Sequence, residues 1–186
     1  MAEVLEKRYT YADYRDLDVD DNFLYELLDG ELVKKSAPSP NHQRVLRNVN
    51  DLMWSYVKKH KLGEIFFSPI DVFLDDENVP QPDLVFVAEA QKTRITNDGI
   101  MGAPNLVVEV ISPSSINRDR FDKLKLYKRY AVAEYWIIDP ANQSVEVYAY
   151  VAAEKDYDLH AFAVLTGEVT SKQIAGLTLN VTAIFE

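Results

Sequence analysis

The chain has 186 residues, 47 % of them hydrophobic and 27 % charged, which is ordinary for one globular domain with a real core and excludes a disordered chain. There is no cysteine, so disulfides and thiolate metal sites are excluded, and no apolar run reaches the ~20 residues of a membrane helix. A net charge of −10 is the wrong sign for indiscriminate binding to nucleic acid. With no apolar leader in MAEVLEKRYT, the expectation is a cytoplasmic protein, one domain over 1–186.

In chain order, a short polar helix is expected around Tyr11 to Asp16. FLYELLDGELVKKS then alternates and turns at Asp29-Gly30, a hairpin signal. In the next segment Val45, Val49, Leu52, Met53 and Tyr56 fall at helical spacing. Ser39 with Pro40 opens this long amphipathic helix and Gly63 closes it. EIFFSPIDVFLDD, PDLVFVA and PNLVVEVIS read as core strands, with a flexible link around Thr96 to Gly102. A second helix follows, its apolar face set by Phe121, Leu124 and Tyr127 or Lys128. EYWIIDP, SVEVYAYV and DYDLHAFAVL are further strands, and the tail gives a short strand and a last helical turn. Strands interleaved with two main helices predict an α/β or α+β layer fold with a mixed sheet.

Glu109 is the anomaly, a carboxylate inside the apolar run LVVEVI. Burying it costs several kcal/mol unless a cation or a neighbour satisfies it. Asp83 opens the preceding strand, so adjacent strands can bring both acids to one rim of the sheet. Two hard oxygen ligands with open water positions suit Mg²⁺ or Mn²⁺. Lys123 and Tyr127, four apart on a helix, share a face that can lie over that rim. A cation beside two carboxylates is the apparatus of phosphodiester hydrolysis. The blander readings stand beside these: Asp83 as a turn residue, Glu109 as a structural acid salt-bridged to Lys123, Lys125 as the competing lysine, and Tyr127 as packing. Trp136 belongs to the core. The segment from Arg118 to Arg129 holds six basic residues against two acids. It is either a solvated face or a docking patch for phosphates.

The series VPQPDLVFV, GAPNLVVEVISPSS and DKLKLYKRYAVAEYWIIDP, preceded by YELLDGELV and SPNHQRV, resembles the Uma2 family, also called domain of unknown function 820. That family is placed among the PD-(D/E)xK, restriction-endonuclease-like nucleases. The resemblance spans roughly Tyr9 to Tyr150 and implies a mixed sheet flanked by helices, with an N-terminal helix and hairpin and additional C-terminal strands. It further implies metal-dependent endonuclease chemistry on nucleic acid, DNA ahead of RNA, with Mg²⁺ or Mn²⁺. Carried over by position, Asp83 and Glu109 are the two acids of the motif, and with the Val110 carbonyl they would hold the metal. Ile111 stands where the motif has lysine, and Lys123 on the following helix matches the relocated cation. Ala131 replaces a glycine usual in such sequences. Glu31 and His42 also match family positions and join Tyr127 as second-tier candidates, while Arg118, Arg120, Lys125, Lys128 and Arg129 would bind phosphates. A homodimer is expected by analogy, with the aromatic-rich SVEVYAYVAAEKDYDLHAF hairpin as its surface or as a plain sheet edge. The alternative is a nuclease fold without catalysis, acting as a nucleic-acid-binding or protein-interaction module.

Overall fold

The computed structural model describes residues 8–16 and 24–186. Phe23 of the hairpin segment and most of the N-terminal stretch read for a leader lie outside them. Thr10 caps a short helix, α1 (Tyr11–Arg15), its hydroxyl accepting from the Asp13 amide while the Asp13 carboxylate accepts in return. The hairpin β1 (Tyr25–Leu28) and β2 (Glu31–Lys34) turns at Asp29 and Gly30, both at positive φ.

The long helix α2 (Pro40–His60) starts where expected, with Ser39 accepting from the His42 amide and proline in the first turn. Its end differs from expectation: Lys61, in the left-handed conformation, terminates it. Gly63 instead opens β3 (Gly63–Phe67). There a Cβ would lie 2.1 Å from the Val87 carbonyl oxygen, so the close strand partner requires glycine.

The remaining strands are β4 (Val72–Phe73), β5 (Leu84–Ala88), β6 (Ile100–Met101), β7 (Leu106–Val110), β8 (Glu134–Asp139), β9 (Ser144–Val151), β10 (Asp156–Val164), β11 (Glu168–Thr170) and β12 (Thr178–Asn180). Six form the central mixed sheet in the order β10-β9-β8-β7-β5-β3, with β7 and β8 parallel and every other pair antiparallel. The link expected to be flexible is partly ordered: β6 pairs with β4, and Ile100 is fully buried against Val72, Val85 and Val87.

Alternation along the sheet sorts its residues between two layers. Val108, Val110 and Trp136 face α2 and the C-terminal helix α4 (Val181–Phe185), making the larger core. Val107, Ile111, Tyr135 and Ile137 face the helical segment between β7 and β8. Trp136 is fully buried, and its indole donates to Glu134. Glu134 also accepts from Ser171 and the Lys172 and Gln173 amides, so this buried acid ties the C-terminal loop to the sheet.

That helical segment corrects one expectation. Residues Arg118–Lys123 form a π-helical turn before α3 (Leu124–Arg129). The wider turn shifts the inward face, so Phe121 is 57 % exposed while Asp119 and Lys123 are buried with Tyr127.

Ala131 ends this helix at φ +52, where an L side chain is strained and glycine is not. Ala131→Gly is expected to raise stability by about 1 kcal/mol, seen as a rise of about 2–4 °C in Tm by calorimetry.

Candidate active site

Strands β5 and β7 are hydrogen-bonded neighbours. One step beyond their last pair, Leu84 with Val108, Asp83 falls opposite Glu109. Asp83 precedes its strand and reaches toward α2: its Oδ2 accepts from the Val110 amide at 2.8 Å and lies 3.1 Å from His42 Nε2. Glu109 points to the other layer. Its Oε1 accepts from Lys123 Nζ at 2.8 Å and from the Tyr127 hydroxyl at 3.0 Å. Lys123 is 2 % exposed and lies 2.9 Å from a second carboxylate, Glu26 Oε2, with Asp119 at 4.0 Å. Burying this ammonium is tolerable only because it is shared among acids from three different segments.

All of these groups except Tyr127 border a cleft of about 670 Å³, whose other walls include Lys35, Ser39, Ser68, Ser112, Ser115 and Arg118. The Lys35 ammonium is held there by the Gln81 carbonyl at 2.6 Å.

Negative charge exceeds positive charge in this cluster. Burial drives the Glu109 carboxyl up to about 8. Lys123 opposes that shift, and the neighbouring Asp119, Asp83 and Glu26 add to it. Burial would raise Glu26 too, but Lys123, Lys35 and Arg118 together hold it below the ordinary carboxylate value. The proton of the pair therefore sits on Glu109. Burial works against ionisation of Asp83 and His42 alike, and their mutual contact outweighs it. Asp83 is held below its ordinary value and His42 above its own.

The cluster collects Asp83, Glu109, Lys123, Tyr127 and His42, and it differs from the sequence reading in three respects. Glu31 is exposed on β2, outside the cluster, and the acid entering from that hairpin is Glu26, fully buried. Its signal was the one Glu109 gave, a carboxylate in an apolar strand, here YELL. Asp119 was also missed, although it stands four residues before Lys123 and so shares its side of the helix. Third, most of the basic segment is paired. Arg118 faces Glu26, Arg120 bridges Asp139 and Glu146, Lys128 meets Asp156 and Arg129 meets Asp29, leaving Lys125 exposed.

Among the described residues no three His, Asp or Glu side chains converge as a ready-made metal cage. Two carboxylates do line the same cleft, and the second oxygens, Asp83 Oδ1 and Glu109 Oε2, accept no hydrogen bond among the described residues. Two such oxygens beside open space fit a hard divalent ion that keeps most of its waters.

The Uma2 family profile, described as "Putative restriction endonuclease", matches residues 11–182. The chain belongs to the Uma2 family. An uncharacterized protein of Synechocystis sp., sll1609, is 27 % identical over 150 residues, covering 80 % of this chain and 84 % of that one. The crystal structure of a nuclease described as putative, from DUF820 of Anabaena variabilis, superposes with a TM-score of 0.75. It is 19 % identical and covers 95 % of this chain and 97 % of its own, which establishes the shared Uma2 fold. A nuclease-like function follows from the family. Among the described residues no helix is long and apolar enough to cross a membrane.

Because Glu109 holds its proton in the folded chain and loses it near pH 4.5 when unfolded, the native state binds more protons between about pH 4.5 and 8. Its contribution to stability is therefore complete below that window and is lost as pH rises through it. Denaturant titrations of the metal-free protein from pH 5 to 9 should show Glu109→Gln flattening this decline.

Proposed function

We propose that this Uma2 protein is a divalent-metal-dependent nuclease that hydrolyses phosphodiester bonds, DNA in preference to RNA, at the Asp83–Glu109 rim. The observation that carries the proposal is that these two acids stand at opposite positions of the neighbouring strands β5 and β7 and line one open cleft, each with one oxygen unbonded among the described residues, and that Lys123 also borders it.

Asp83, Glu109 and the Val110 carbonyl would hold Mg²⁺ or Mn²⁺, which when bound supplies a water of lowered pKa and neutralises phosphate charge. The chain's own residues do the rest. Lys123 stabilises charge developing on the phosphoryl oxygens, and its position is fixed by Glu26 and Glu109 rather than by solvent. Tyr127 holds the Glu109 carboxylate in one rotamer. His42, bonded to Asp83 and bordering the cleft, orients that carboxylate and carries a proton within reach of it. Lys35 and the serines of the rim bind phosphate oxygens. Pairing of two copies is part of this reading: Leu159 and Phe162, each 55 % exposed on the edge strand β10, supply apolar surface.

A second reading has its own observation. Lys123 is 2 % exposed and contacts two carboxylates, as a purely structural cluster would require, so the fold could serve as a binding module without catalysis.

Incubation with single-stranded DNA, duplex DNA and RNA in Mg²⁺ or Mn²⁺ separates the two. The nuclease reading expects DNA cleavage that stops in chelator and falls at least about 100-fold in Asp83→Asn, whose amide oxygen still accepts from Val110. Absence of cleavage on every substrate with both metals would leave the binding module.

A further inference from the structure

The cations that the sequence reading assigned to phosphates are mostly neutralised, yet a second basic surface is not. On α2, Arg44, Arg47, Trp54 and Lys58 are all exposed, spaced three, seven and four residues apart, which places them along one face. Lys59 and Lys61 extend the cationic character past the C-terminal turn. None of these cations is in an ion pair among the described residues. Arg44 and Arg47 donate only to the neighbouring Asn41 and Asn48, and Asp51, the one acid of the helix, lies exposed on the same face in no ion pair among the described residues. In a chain of net −10, a helix face so dominated by positive charge is a local reversal.

Trp54 makes the surface more specific. Its indole is 45 % exposed, an unusual cost for so large an apolar ring, and Lys58 Nζ lies 4.3 Å from its centre. An aromatic face flanked by cations is the arrangement that holds a nucleobase by stacking and the adjoining phosphates by charge. The helix is held rigidly for this: Asn48 donates to the Ile184 carbonyl and Tyr56 to the Ala175 carbonyl. Its first turn, through Ser39, His42 and Gln43, forms a wall of the cleft. Arg44 follows directly, and from Arg44 to Lys58 the helix rises about 21 Å, room for about six stacked nucleotides.

We infer that the exposed face of α2 is a binding track for single-stranded nucleic acid, which leaves the cleft past Arg44 and Arg47 and stacks an unpaired base on Trp54. A base inside a duplex offers no free face to an indole, so the partner carries unpaired bases. The inference extends the nuclease reading to its substrate and rests on it only for the strand's entry to the cleft.

The test is binding of a fluorescein-labelled twelve-residue oligothymidylate in chelator, followed by anisotropy and by tryptophan emission. The chain has two tryptophans and Trp136 is fully buried, so quenching reports Trp54. Wild type should bind with quenching. Trp54→Ala should bind about 10-fold more weakly, and Arg44→Ala with Arg47→Ala should lower the slope of log affinity against log salt by about 1.4. A hairpin duplex of equal charge should bind without quenching. Unchanged affinity in both variants, or no binding of the oligothymidylate by wild type, overturns the inference, and circular dichroism checks that the variants are folded.

The two readings fail separately. Binding with quenching in a protein that cuts no substrate leaves the track standing and removes the nuclease. Cleavage with KM for the same oligonucleotide unchanged in both variants leaves the nuclease and removes the track.

Discussion

One ammonium group organises this molecule. Lys123 is brought inside by the π-helical turn and is shared by Glu26 from the N-terminal hairpin and Glu109 from the middle of the sheet. Each buried ion costs several kcal/mol, so the three segments are held in register by the need to keep these charges together. Positive charge is still short. Glu26, Glu109, Asp119 and Asp83 gather around one buried lysine, and Glu109 responds by keeping a proton to about pH 8. A carboxyl held protonated beside a second carboxylate is a site that gains by exchanging its proton for a cation.

The sheet's alternation was legible in the sequence because it is period two and the acids interrupt apolar runs. Asp83 and Glu109 stood out for that reason, and their strands are neighbours. Glu26 gave the same signal and was passed over for Glu31, which the family resemblance put forward. The register puts both acids on one face of the hairpin, and packing over β1 buries Glu26 while Glu31 on β2 stays exposed. Phe121 was misread for another reason. A π-turn adds a residue to the helical repeat, and no residue type announces it, so a helical wheel drawn at 3.6 residues per turn rotates the wrong face to the core. The basic run from Arg118 to Arg129 shows the limit of counting charge along the chain. Its acidic partners Glu26, Asp29, Asp139, Glu146 and Asp156 come from four other strands and one turn.

Charge is thus separated by location rather than by segment. The hairpin, β7 and the π-turn concentrate acids at the cleft floor, where cations are needed to satisfy them. The outer face of α2 carries cations that form no ion pair among the described residues, with Asp51 the one acid of the helix among them. Cleft and helix meet at the first turn of α2, where His42 touches Asp83 and Arg44 faces outward two residues later. A polyanion approaching a chain of net −10 would meet repulsion over much of the surface and attraction along this helix.

The central claim is that Asp83 and Glu109 form one divalent-metal site. Calorimetric titration of Mn²⁺ into wild type, Asp83→Ala and Glu109→Gln tests it most directly, with the folded state of each checked by circular dichroism. The account predicts one site per chain in wild type, lost or weakened at least about tenfold in both variants. No binding in wild type, or equal binding in all three, would contradict it.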